Sequence, residues 1–319
     1  MKVEKLRALV LTIILLFLAF VSLFVGAADI TFADIINWDI EKIELISISR
    51  IPRTAALVLA GVGMSVSGVI MQQMTQNKFV SPTTAGTLDA AKMGLLIFII
   101  FTPTAGTTVK MISAFVFTFL ASILFLTIVR KIKHRNVIFV PLVGLMFGGI
   151  IGSVSTFFAV QLNIVQDTNA WMMGDFSSIL QGRYELIYLT LPAIFITYLY
   201  ANKFTVIGMG EDFSKNLGLN YNAIINIGLF CVSLTVSSVV ITAGSIPFLG
   251  LIVPNVVSMI FGDNLKKTLP LVALSGAIFL LICDIAGRVV IYPYEIPIGV
   301  TVSIIGSIIF LLLLLWKKR

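Results

Sequence analysis

The chain has 319 residues, of which 58% are apolar and only 12% charged, against the roughly 25% charged content of soluble globular domains. That composition excludes a water-soluble fold and requires a protein embedded in lipid. The net charge of +7 does not point to nucleic acid, because the basic residues lie in short clusters between apolar runs, as the positive-inside rule expects.

A bilayer span takes about 20 apolar residues, so the length leaves room for about ten helices and no soluble domain beside them. Residues 1–319 therefore read as one transmembrane domain. Lys2, Lys5 and Arg7 precede an apolar run at 8–25. The run is longer than the usual signal-peptide core of about 7–15 residues, so it reads as a retained first span. Further spans are predicted at 54–74, 84–101, 109–129, 137–160, 184–200, 223–243, 246–261, 269–291 and 298–316. Ten spans put both termini on one side. Fifteen of the 22 Lys and Arg residues fall on that side and six on the other, with Lys92 inside a span, which makes the terminal side cytoplasmic.

Polar residues inside the spans are few. Asp89 and Lys92 are three apart and Asp284 and Arg288 four apart, spacings that bring opposite charges to one helical face. In the fifth span Gly144, Gly148 and Gly152 recur every four residues, with Gly61 and Ser65, and Gly299 and Ser303, as shorter versions. Such stripes let helix backbones approach closely in lipid; lining of a pathway by the fifth helix is the alternative. His134 sits in the basic turn 130–135, and Cys231 and Cys283 fall in apolar stretches and read as buried hydrophobes. No zinc spacing, nucleophile elbow or glycine-rich phosphate loop occurs, so the chain has no motif for hydrolysing a nucleotide. The longest interior hydrophilic stretch is GMGEDFSKNLGLNYN at 208–222. Glu211 and Asp212 suit the first turn of a short helix, and Gly218 suits the left-handed residue that ends it. Such a helix on the cytoplasmic face fits a docking element for a soluble partner, and an ordinary loop is the alternative.

Taken together, RIPR at 50–53, the stretch 61–72, NKFVSPTTAG at 77–86, WMMGDFS at 171–177, GSIPFLGLIVPN at 244–255, CDIAGRVV at 283–290 and EIPIGV at 295–300 resemble the permeases of iron-siderophore and vitamin B12 ABC importers. The resemblance covers nearly the whole chain. It implies an all-α polytopic bundle of ten helices, paired as a homodimer or as a heterodimer with a second permease, with the path between the two. It also implies two cytoplasmic ATPase subunits docked on the short helix carried by Gly210, Glu211, Asp212, Phe213, Ser214, Asn216, Leu217 and Gly218, and an extracytoplasmic substrate-binding protein seated on Arg50, Arg53 and Arg288. Gln72, Asn77, Gly144, Gly148 and Asn255 are candidates for lining the path. No cofactor and no resident metal are expected.

The chain departs from the family pattern at Asn77-Lys78-Phe79, where Asn-Pro-Leu is frequent, and at Pro254-Asn255, where Pro-His is frequent. With SPTTAGT these are most similar to the branch serving catecholate siderophores of the petrobactin kind. The family's inner gate residues fall near Val137 and Ile138, which do not match in type, so no gate is assigned. A ferric siderophore agrees with the lack of His, Cys or carboxylate clusters, because its iron is already wrapped by the chelator. Haem and cobalamin agree equally. An ion-coupled carrier using Asp89, Lys92 and Asp284, and a membrane scaffold without substrate, are the competing classes.

Overall fold

The computed structural model describes residues 2–26, 30–102, 106–132 and 138–316. His134, the basic residues 133, 135 and 317–319, and Val137 lie outside the described residues.

Helix α1 (Lys2–Phe24) carries no charge after Arg7, and its outer flank of Leu9, Leu16, Phe17 and Phe20 is exposed, as a surface facing lipid tails requires. Two short helices follow, α2 (Phe32–Ile36) and α3 (Ile40–Leu45), the second capped by the Asp39 carboxylate, which accepts from the Lys42 N–H at 3.4 Å. From α3 the chain widens into a π turn, Ile46–Arg50, just before Pro52, which has no N–H to continue the ladder. It then becomes α4 (Ile51–Thr75), and Gln76 ends that helix in the left-handed region at φ 52°.

The remaining helices are α5 (Thr87–Phe101), α6 (Thr107–Lys131), α7 (Phe139–Gln161), α8 (Val165–Met172), α9 (Thr190–Leu199) after the 3₁₀ turn Glu185–Leu189, α10 (Ala201–Ile207), α11 (Glu211–Asn216), α12 (Tyr221–Ala243), α13 (Leu249–Phe261), α14 (Leu265–Val289) and α15 (Ile298–Trp316). Among the described residues the only β pairing is an isolated bridge between Met173 and Ser245.

Helices α4 and α12 form the centre. In α4, 78% of the most apolar window is buried and in α12 72%, against 6% in α1 and 22% in both α7 and α15. The central pair is wrapped by α5, α6, α9, α13 and α14, while α1, α7 and α15 turn broad apolar faces outward.

Seven helical stretches are long and apolar enough to cross a bilayer. The other three expected spans are shorter: α5 has 15 residues, the stretch Glu185–Leu199 has 15, and α13 has 13. At about 1.5 Å per residue, 13–15 residues reach roughly 20–22 Å, short of a hydrocarbon core of about 30 Å. Irregular backbone at 77–86, 173–184 and 244–248 supplies the difference. Non-helical backbone shielded from water must find partners inside the protein, and two of these segments do. Asp175 N–H donates to Ala243 O at 2.9 Å, Ser245 N–H to Met172 O at 3.2 Å, and Gly299 N–H to Gly174 O at 2.9 Å.

The glycines explain how the helices come so close. A Cβ on Gly61 would stand 2.7 Å from Ala277 Cα, where α4 crosses α14, and a Cβ on Gly68 would run into the Gly250 carbonyl, where α4 crosses α13. Gly144 and Gly148 face inward in the same way, against Thr84 O and Gly86. They pack closely against these neighbours, and the exposed side of α7 is formed by Leu142, Leu145, Met146 and Ile150. Gly68→Ala is therefore expected to cost about 1–3 kcal/mol by prising α4 from α13. Gly149→Ala, whose Cβ would meet nothing within 4 Å, is the control. Thermal unfolding of the two variants in detergent separates them, and equal stability would show that the α4–α13 crossing tolerates a methyl group.

Candidate functional site

Two polar assemblies interrupt the apolar bundle, one at each end of α4. At its start, Arg53 donates from Nη2 to Asp284 Oδ1 at 2.7 Å and from Nη1 to Glu295 Oε2 at 2.7 Å. Arg288, one turn after Asp284 on α14, pairs with Asp284 Oδ2 and donates from Nη1 to the Ser22 and Val25 carbonyls at 2.9 and 2.6 Å and from Nη2 to Ser22 Oγ at 2.7 Å. Arg50 donates to the Val25 carbonyl at 2.8 Å. These carbonyls close α1, where the ladder leaves acceptors free and the helix dipole favours a cation.

The family resemblance implies an outside partner seated on these three arginines. Arg50, Arg53 and Arg288 are 6%, 7% and 2% exposed, and each is bonded within the chain. The reason is long-range: α1, α14 and the loop carrying Glu295 close over them. The Asp284–Arg288 spacing anticipated one ion pair; Glu295 as a second carboxylate was missed, because nothing local links it to Arg53. Three guanidinium groups meet two carboxylates, which leaves one positive charge uncompensated among the described residues. Arg50 Nε and Arg288 Nε are buried there without an acceptor. Asp89 and Lys92, by contrast, close no ion pair among the described residues. The Asp89 carboxylate lies against Gly148 and Gly152 of α7.

The second assembly is at the end of α4. Gln72 and Asn77 are buried, and with Gln73, Gln76, Thr205 and Gly208 they line a polar cavity of about 270 Å³. Lys78 Nζ donates to both Asp263 oxygens, at 2.8 and 2.9 Å, and to Ser258 Oγ at 2.7 Å. Burial alone would raise the Asp263 carboxyl, but hydrogen bonds from Lys78 and Ser258 outweigh it and hold the group below the ordinary aspartate value. Asn255 donates from Nδ2 to the Lys78 and Leu251 carbonyls at 2.8 and 2.7 Å. Phe79 meets Phe310 of α15 edge-on, with ring centroids 6.1 Å apart. Beyond it an apolar groove of about 610 Å³ opens between α7, α13 and α15, lined by Phe79, Thr84, Leu145, Phe248 and Leu251 among others. Lys78 and Asp263 are the residues that sequence reasoning did not join; the signal available was opposite charge in two short loops on one side of the membrane.

Beside this cavity sits α11. Gly210, at φ 119°, opens it, and Ser214 Oγ ties it to α10 through the Val206 carbonyl at 3.0 Å. Lys215 pairs with Glu211 at 2.8 Å, and that hydrogen bond raises the lysine pKa. Gly218, at φ 77°, ends it as its sequence position suggested. Its N–H reaches Lys215 O at 2.9 Å and the Leu219 N–H reaches Ser214 O at 3.1 Å, which is the Schellman pattern. Met209, Phe213 and Leu217 remain 60%, 48% and 57% exposed on this polar end of the bundle.

A many-helix bundle with seven apolar helices of bilayer length, apolar outer flanks, irregular backbone hydrogen-bonded inside the protein and polar assemblies at its two ends is a multi-pass membrane protein of the transport-permease class. More narrowly, residues 14–316 match the FecCD transport family, and the chain belongs to it. It is 50% identical over 308 residues to a petrobactin import system permease of Bacillus subtilis (strain 168), covering 97% of this chain and 98% of that one. It is 45% identical to a ferric-anguibactin transport system permease of Vibrio anguillarum, covering 92% and 94%. In fold it is similar to the inward-facing conformation of a metal-chelate type ABC transporter, with a TM-score of 0.82 at 23% identity over 96% of this chain and 98% of that one.

Proposed function

We propose that the chain is the membrane-spanning permease subunit of a binding-protein-dependent ABC importer that carries a ferric siderophore, of the petrobactin catecholate type, into the cytoplasm. The observation that carries this reading is 50% identity along 97% of the chain to a petrobactin import permease. All 319 residues form one transmembrane domain with both termini cytoplasmic, so the end of α4 faces inward and its start outward. The subunit pairs with a copy of itself or with a second permease across the exposed apolar faces of α7 and α15. The path runs beside the groove at Phe79, near Gln72, Asn77 and Asn255. ATP hydrolysis belongs to two cytoplasmic subunits docked over α11, and support for this comes from Met209, Phe213 and Leu217 standing exposed on a short capped helix. The permease itself makes and breaks no bonds.

The arginine cluster faces outward in this orientation. Among the described residues the cluster holds one more positive than negative charge, which supports docking of an acidic side chain from the substrate-binding protein. Arg50 is the guanidinium to be offered, since Arg53 and Arg288 already share Asp284. Arg50→Gln is expected to weaken capture of the binding protein about tenfold by removing this charge, and because Arg50 is itself buried the folded yield of the variant is measured beside it. Pull-down by the immobilised binding protein reads this, and unchanged capture removes Arg50 from the interface.

Growth in iron-restricted medium tests the substrate. A strain lacking the gene is expected to fail with ferric petrobactin as its sole iron source and to recover on complementation. Failure on haem or loss of cobalamin uptake, with petrobactin use intact, would reassign the cargo.

A further inference from the structure

The turn that follows α4 has no helical ladder to hold it, yet it carries Phe79 into the apolar groove. Both halves of Lys78 are anchored to the same neighbour. Its carbonyl accepts from Asn255 of α13, and its ammonium is held by Ser258 of α13 and by Asp263 in the loop after it. From that loop the chain enters α14 at Leu265, whose N–H donates to Thr205 Oγ1 of α10 at 3.3 Å. The last turn of α10 in turn accepts from Ser214 of α11. Hydrogen bonds and short rigid segments thus run without a gap from α11 to the ring of Phe79, and its edge contact extends them to Phe310 on α15.

We propose that the Lys78–Asp263 ion pair is a latch that transmits movement of α11 to the inner end of the pathway, with Lys78 and Asp263 as positioning residues for transport. The inference rests on the importer reading above. The pair is half-exposed, with the two side chains 46% and 60% accessible. Surface pairs of this kind contribute at most about 1 kcal/mol to stability, so the fold does not depend on it. What it adds to the turn, which is already shaped by the Phe79 N–H donating to Asn77 Oδ1 and by Asn255 Nδ2 donating to the Lys78 carbonyl, is a side-chain tie to the loop that leads into α14. An exposed pair is also screened by salt and reversible, as a contact that opens and closes in each cycle requires. Coupling between distant sites is carried by such contiguous contacts when the element at one end has two arrangements.

The test uses the complete complex, with its ATPase subunits and binding protein, reconstituted in liposomes and given radiolabelled ferric petrobactin. Lys78→Ala is expected to hydrolyse ATP within about twofold of the unaltered complex but to import about three- to fivefold less iron per ATP, the factor that a contact of about 1 kcal/mol carries. The variant with the charges exchanged, Lys78→Asp with Asp263→Lys, is expected to recover most of the loss, which a purely structural role would not produce. Unchanged iron per ATP in Lys78→Ala, or no recovery on exchange, overturns the latch. If the unaltered complex imports no siderophore, the importer reading fails by itself, and maleimide labelling of a Thr83→Cys variant, on the segment that follows Phe79 along the groove, decides the latch without substrate. A labelling rate that changes with Lys78→Ala upholds it; an equal rate overturns it.

Discussion

Asp284→Ala is expected to destabilise the folded subunit by about 3–5 kcal/mol, the usual penalty for removing one partner of a buried charge pair. Asp284 lies on α14 at 3% exposure and is the one carboxylate shared by Arg53 and Arg288. With it gone, Arg288 keeps only the carbonyls of Ser22 and Val25 and Ser22 Oγ, and Arg53 keeps only Glu295. Three guanidinium groups would then face a single carboxylate in a site closed to water. The damage would spread, because these bonds tie the end of α1, the start of α4 and the end of α14 together. Glu295→Ala is the graded comparison: its side chain is 23% exposed and it serves Arg53 alone, so a smaller loss is expected. Unfolding in detergent, with yield of the assembled subunit in membranes, measures both. An Asp284→Ala protein as stable as the unaltered one would mean that the arginines are hydrated after all.

Phe213→Asp combined with Leu217→Asp is expected to abolish attachment of the ATPase subunits while leaving the permease folded. Both side chains are about half exposed on α11, so placing a carboxylate there disturbs no core. Interface anchors of this kind cost about 2–4 kcal/mol when lost, a fall in affinity of roughly 30- to 1,000-fold. Their framework is already set, since Ser214 is fully buried and fixed to Val206 and Gly210, and Gly218 closes the helix. Co-purification of ATPase subunits with tagged permease reads the effect. Retention of the ATPase by the double variant would move the docking surface away from α11.

Seven of the ten expected spans were legible as helices of bilayer length, because apolar runs that long are hard to mistake, and the short α11 with its glycine stop was legible from charge and Gly218. The places where spans fall short as helices were not. Ile246, Pro247 and Phe248 continue an apolar run, but Phe248 adopts φ 63° and the helix begins only at Leu249. Hydropathy sees the run and not the backbone. The Asp284–Arg288 pair could be read from its spacing of four, whereas Arg53 reaches Asp284 across 231 positions. The burial of the arginines was hidden for the same reason, since it depends on where α1 ends. The glycine stripe of α7 allowed two readings, and the closeness of Thr84 O and Gly86 to Gly144 and Gly148 supplies packing contacts that spacing alone could not show.

Uptake of radiolabelled iron supplied as ferric petrobactin, in cells with and without the gene, bears most directly on the siderophore-permease assignment. Loss of uptake on deletion, restored by the gene supplied in trans, is the expected result. Undiminished uptake in a strain with no redundant importer contradicts it.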